Sequence, residues 1–195
     1  MPSEFLAMLD LVGMLVASPR TGVLIGLLVL AAVGDIQTGR IPNWLVLIGT
    51  IYAVAFSAFY PVYARDMGLL VALGGLVVGF ALLLPGYLLR VLGAGDVKLM
   101  AMVGAFLGTR GAVEAVLASL IAGGLLALAL AAYSGRLVLM LRNVAMVFRG
   151  TLLGLSTGVG GLALQSGTSA GRMPYGVAIA AGTIGHLMLD QLGLI

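Results

Sequence analysis

The sequence predicts an all-α protein, a polytopic transmembrane helical bundle of about six spans with a basic helix at the membrane surface. Three observations predict it. Of 195 residues, 62% are hydrophobic and 9% charged, with a mean hydropathy of +1.20, whereas soluble domains carry about 25% charge. The apolar residues come in continuous blocks, not in the alternation of a transmembrane barrel. The bases stand one at a time between those blocks, which suits orientation in a bilayer better than a polyanion-binding face, so nucleic acid is not an expected partner and membrane lipid is. Disorder is excluded by the same apolar content.

Each element follows from the roughly 20 apolar residues that a crossing needs and from the polar punctuation between blocks. The first block runs from Pro19 to about Ile36, with Ser18 as N-cap and Pro19 where its missing N–H costs nothing, and ends on Asp35, Gln37, Thr38, Gly39 and Arg40. The second covers about Asn43 to Phe59 and stops at Tyr60, Pro61 and the Arg65/Asp66 pair; the third fills Gly68 to Leu89 before Arg90. A short fourth block begins around Gly95 to Lys98, continues through Leu107 and is broken by Gly108, Thr109, Arg110 and Gly111. The fifth is Ala112 to Tyr133 and the sixth runs from about Tyr175 to Leu189.

Arg142 and Arg149, seven apart, share one face of a basic amphipathic helix, the Gly-rich stretch Leu152 to Gly171 carries no assignable element, and Glu4 to Ala17 reads as interfacial. Glu4 and Asp10 give the first residues the wrong charge for a secretory signal, so the chain is expected to be retained whole, as a single membrane domain over 1–195. With the first loop in the cytoplasm, Arg40, Arg90, Lys98, Arg136, Arg142, Arg149 and Arg172 fall inside, and Arg20, Arg65 and Arg110 outside. Glycines four apart (Gly22/Gly26, Gly75/Gly79, Gly104/Gly108) read as places where helix backbones approach closely.

An ionisable group in a bilayer costs roughly 2.5 to 3.5 kcal/mol on insertion scales, so acids at span ends stand out. Asp35 closes the first span and Asp96 opens the fourth. Two crossings separate them, which brings both carboxylates to the cytoplasmic face. Facing carboxylates in a partly dry site share one proton; the ionised one takes a proton from water while the protonated one donates to a substrate carbonyl, which is amide hydrolysis without a covalent intermediate. Gly93 and Gly95 suit the close approach of an extended peptide. The plainer alternative is that Asp35 neutralises Arg40 and Asp96 neutralises Lys98. No other nucleophile competes. There is no cysteine, Ser156, Ser166 and Ser169 lack a GxSxG elbow, and His186 reads as a packing residue of the sixth span. Neither a metal nor a cofactor is expected.

At these two segments the chain resembles the prepilin peptidases, or type IV leader peptidases, which are membrane aspartic proteases. Their pattern is an Asp closely followed by Ile-Pro-Asn, met by Asp35 with Ile41, Pro42 and Asn43, and a later Gly-x-Gly-Asp-x-Lys, met by Gly93, Gly95, Asp96 and Lys98. The segment Arg172 to Gly176 is similar to the family's late Pro-aromatic-Gly stretch. The resemblance implies that Asp35 and Asp96 are the catalytic pair. It further implies that the substrate is a prepilin or pseudopilin precursor, cut on the cytoplasmic side after a Gly and before an apolar helix.

Larger members also carry a cysteine-bound zinc region and methylate the new N-terminus. This chain has no cysteines, so it is similar to the short form that serves Flp/Tad pili, and methyltransferase activity is not expected. The implied location is a bacterial inner membrane, with pilus assembly machinery as a further partner. Lys98 and Arg40 are candidates to tune the pair or to engage acidic groups of the substrate. Two other classes stay open: a small transporter or channel with intramembrane carboxylates, and a non-enzymatic membrane subunit of a pilus machine.

Overall fold

The computed structural model describes residues 19–59, 68–89, 91–135, 137, 142 and 174–193. All regular structure among them is helical: α1 (Pro19–Thr38), α2 (Asn43–Phe59), α3 (Leu69–Leu88), α4 (Ala94–Tyr133) and α5 (Tyr175–Gln191). Three of these, α1, α3 and α4, are long and apolar enough to cross a membrane, and the apolar α2 is shorter, with 17 residues. The Glu4–Ala17 piece, the Ser18 cap, the Arg65/Asp66 pair, Arg90, Arg149, the serines of the Gly-rich stretch and Arg172 lie outside the described residues. The chain divides into two compact units, Met1–Gly123 with Pro174–Ile195, and Gly124–Met173. The candidate residues all belong to the first.

Helix α1 ends where expected. Gly39 takes a left-handed φ of 62°, its N–H returns to the Asp35 carbonyl at 2.8 Å, and Pro42 then launches α2. The 40-residue α4 is not a rod. It is broken at Gly108, whose φ of 77° and ψ of −176° form a combination open only to glycine. The break falls where the sequence puts it, but it is one residue wide: Thr109 to Gly111, expected in the interruption, are already helical, and Arg110 pairs with Glu114 one turn on at 2.8 Å.

The two arms run in opposite directions. Arg20, at the start of α1, donates to the Ala105 carbonyl just before the break (3.1 Å). Just after it, Glu114 meets His186 near the end of α5 (3.5 Å). At the other end, Asp35 meets Gly176, and Gly123 faces the Tyr175 ring. Residues 96 and 123 therefore both return toward the end of the bundle that holds Asp35.

The first arm, 94–107, is the centre of the fold, with every residue from Leu99 to Phe106 buried; a helix that is apolar and covered all round belongs inside. Around it α1, α2 and α3 bury one face each and present Val29, Leu30, Leu47, Ile48, Ile51 and Val77 outward, an arrangement that costs nothing against lipid. Since lipid is as apolar as Leu, packing and not water exclusion holds such helices together. The closest packing is at glycines. Gly75 and Gly104 press backbone on backbone, and a Cβ on Gly79 would fall 2.5 Å from the Met100 carbonyl oxygen. Gly26 has open space around it, unlike Gly75, Gly79 and Gly104.

Candidate active site

Four helix ends meet around the two acids. Asp35 stands in the last turn of α1, at the negative end of its own helix dipole. Its side chain is buried (8% exposed) and its Oδ2 accepts the Gly176 N–H at 2.7 Å. That N–H is in the first turn of α5, a helix whose N-cap is Pro174 with no side-chain cap of its own. Asp35 thus caps α5 from another helix, and the positive end of α5 offsets the unfavourable end of α1. The contact requires glycine: a Cβ on Gly176 would fall 2.9 Å from Asp35 Oδ2 and 3.2 Å from its Cγ.

Asp96 is half-buried in the first turn of α4. Its Oδ2 accepts the Gly93 N–H at 2.9 Å, reaching back three residues as the acidic member of a capping box does. Gly93 and Gly95 therefore have separate roles. Gly93 provides the donor that fixes Asp96, and Gly95 lets the α1–α2 turn come close, since a Cβ on it would sit 3.3 Å from Ile41 Cβ.

The two motifs touch. Besides the Gly95–Ile41 approach, Lys98 Nζ donates to Asn43 Oδ1 at 3.2 Å, across 55 residues of sequence. Pro42 packs on α1, with its Cδ 3.5 Å from the Cβ position of Gly34. The expected neutralising partners are otherwise engaged: Asp35 takes a backbone N–H and not Arg40, which is exposed past the left-handed turn, and Lys98 turns to Asn43.

Two residues at this end carry more than the sequence reading gave them. Gly176 holds Asp35, and Tyr175 lies within electrostatic reach of Asp96. The Tyr175 ring rests on Gly123, whose Cβ position is 2.9 Å from Cε2, and its hydroxyl is buried without a hydrogen-bond partner among the described residues. The Pro-aromatic-Gly stretch was the available signal for both.

The sequence profile of the Type IV leader peptidase family matches residues 22–128, a segment with both aspartates and both motifs. The chain belongs to this family of peptidases, which act at the leader of prepilins. Searches among curated proteins and among solved structures returned no match.

Gly176→Ala should fold yet cleave poorly. The added methyl pushes the Asp35 carboxylate out of position, and if that carboxylate takes part in the reaction, a displacement of about 1 Å costs roughly a hundredfold in rate. Steady-state cleavage by purified variant and wild type, alongside their melting temperatures, checks this.

Proposed function

We propose that this chain is a short-form prepilin peptidase of a bacterial inner membrane, an aspartic endopeptidase that removes the leader of type IV prepilin-like (Flp) precursors at the cytoplasmic face. Asp35 and Asp96 are its catalytic pair. In the first step one carboxylate takes a proton from water as the water oxygen attacks the scissile carbonyl carbon, and the protonated partner gives its proton to the carbonyl oxygen. The tetrahedral species then collapses: the C–N bond breaks, the leaving amine takes the proton that came from water, and the hydroxyl formed from the carbonyl oxygen returns its proton to the carboxylate that gave it. No metal, cofactor or methyl transfer enters.

The observation that carries this reading is the junction of the two motifs. Asn43 of the first bonds Lys98 of the second, and Ile41 packs on Gly95, so the segments bearing the two acids are held as one unit. The six crossings we propose take α4 as two, divided at Gly108, and the excess of bases on the Asp35 side argues for that side being cytoplasmic. Pilus assembly machinery is a natural neighbour for such an enzyme.

The test is co-expression with a candidate prepilin. Wild type should shift the precursor to mature mobility, and Asp35→Asn or Asp96→Asn should leave it full length. A transporter or a scaffold subunit would not discriminate between these variants. Lys98→Met should process the same precursor up to about tenfold more slowly, the order of one lost hydrogen bond between the motifs. Processing at the wild-type rate would remove Lys98 from the site.

A further inference from the structure

Of the two carboxyl groups only the protonated one donates to the scissile carbonyl oxygen, and a second donor would further stabilise that oxygen as it becomes tetrahedral. Most of the donors at this end of the bundle are committed: the Gly176 N–H to Asp35, the Gly93 N–H to Asp96 and the Lys98 ammonium to Asn43. The Tyr175 hydroxyl is not. It is buried and without a partner among the described residues. It belongs to the residue immediately before the one that binds Asp35, and the Asp96 carboxylate acts on it electrostatically. Gly123 opposite it gives the ring its place, and any side chain there would push the ring away. A hydroxyl kept in such a position weakens the fold, since phenylalanine would fill the same space with nothing left unpaired.

We infer that Tyr175 is a third residue of the reaction, whose O–H donates to the oxygen of the scissile peptide carbonyl as it becomes tetrahedral. The first turn of α5 then serves both acids, with the backbone of Gly176 orienting Asp35 and the phenol of Tyr175 holding the substrate oxygen on the Asp96 side. This rests on the aspartic peptidase reading above.

The experiment compares Tyr175→Phe with wild type as full-length chains in lipid nanodiscs, using a synthetic peptide with a Gly–apolar junction. Loss of one such donor lowers kcat by about a hundredfold. We expect that loss with KM unchanged within about twofold, because the hydrogen bond strengthens in the transition state, and with a melting temperature equal to or above that of wild type. Gly123→Ala, which displaces the ring but keeps the hydroxyl, should also lose kcat. A Tyr175→Phe kcat within threefold of wild type overturns the inference. So does a lowered melting temperature, which would reveal an internal partner for the hydroxyl whatever the kinetics. If Asp35→Asn and Asp96→Asn are inactive while Tyr175→Phe is fully active, the role of Tyr175 falls and the dyad stands. If both asparagine variants cleave normally, the dyad falls.

Discussion

Asp35→Asn and Asp96→Asn are each expected to lower cleavage by about a thousandfold or more, and the double variant is expected to be no slower than either single one. In the proposed reaction the two act as a unit and are lost as a unit, because neither carboxylate alone would both take the proton from water and protonate the carbonyl. The asparagine variant is the informative one at position 35. Asp35 has a structural task, capping α5 through the Gly176 N–H. Asparagine keeps an oxygen acceptor of the same shape, so the cap and the fold survive while the carboxylate is removed. A melting temperature within a few degrees of wild type, together with lost turnover, separates the chemical role from the structural one. Normal processing by the Asp35→Asn variant would leave Asp35 a cap and no more. The quantity to measure is the single-turnover rate, with the double variant assayed beside the singles.

The second large effect is on stability. Gly104→Leu should lower the melting temperature in detergent by about 10 °C, corresponding to about 3 kcal/mol or more. Gly104 meets the Gly75 backbone, and even a Cβ there would also stand 3.3 Å from Ala112 Cβ. Neither obstacle is the free end of a flexible side chain, so the helices themselves must separate. Gly26→Ala is the control: nothing lies within 4 Å of its Cβ position, and alanine in an exposed helix interior stabilises by roughly 0.5–1 kcal/mol. Equal melting temperatures for Gly104→Leu and wild type would mean that this glycine contact does not hold α3 to α4.

That contrast shows what the sequence could and could not say. Glycines four apart mark a helix face that can be approached, but the spacing of Gly22/Gly26 is the same as that of Gly75/Gly79, and spacing carries nothing about what stands opposite. Helix ends were legible because they are written locally, in Pro19, Gly39, Pro42 and Pro174. The break in α4 was also legible, but its width was not. Gly, Thr and Arg read as a loop, yet a single residue of left-handed backbone reverses the chain and helix resumes at Thr109.

Both motifs could be read from residue types at short spacing, together with the expectation that they meet. The partners of the acids could not. Arg40, five residues on, looks like the natural counter-charge for Asp35, but the left-handed turn at Gly39 carries it past the site. The true partner comes from 141 residues away, and no local pattern reports a contact of that range. The link from Glu114 to His186 was missed for the same reason, since each residue looks unremarkable within its own helix.

The distance in sequence from Asp35 to Gly176 also sets an order of events during biosynthesis. The aspartate leaves the ribosome 141 residues ahead of the amide that will orient it, a lag of roughly 7 to 28 seconds at ~5–20 residues per second. Throughout that interval the nascent chain holds one acid, and then both, without α5, whose amide orients Asp35. Asp35 therefore stays without its orienting N–H until residue 176 has been synthesised and α5 has docked.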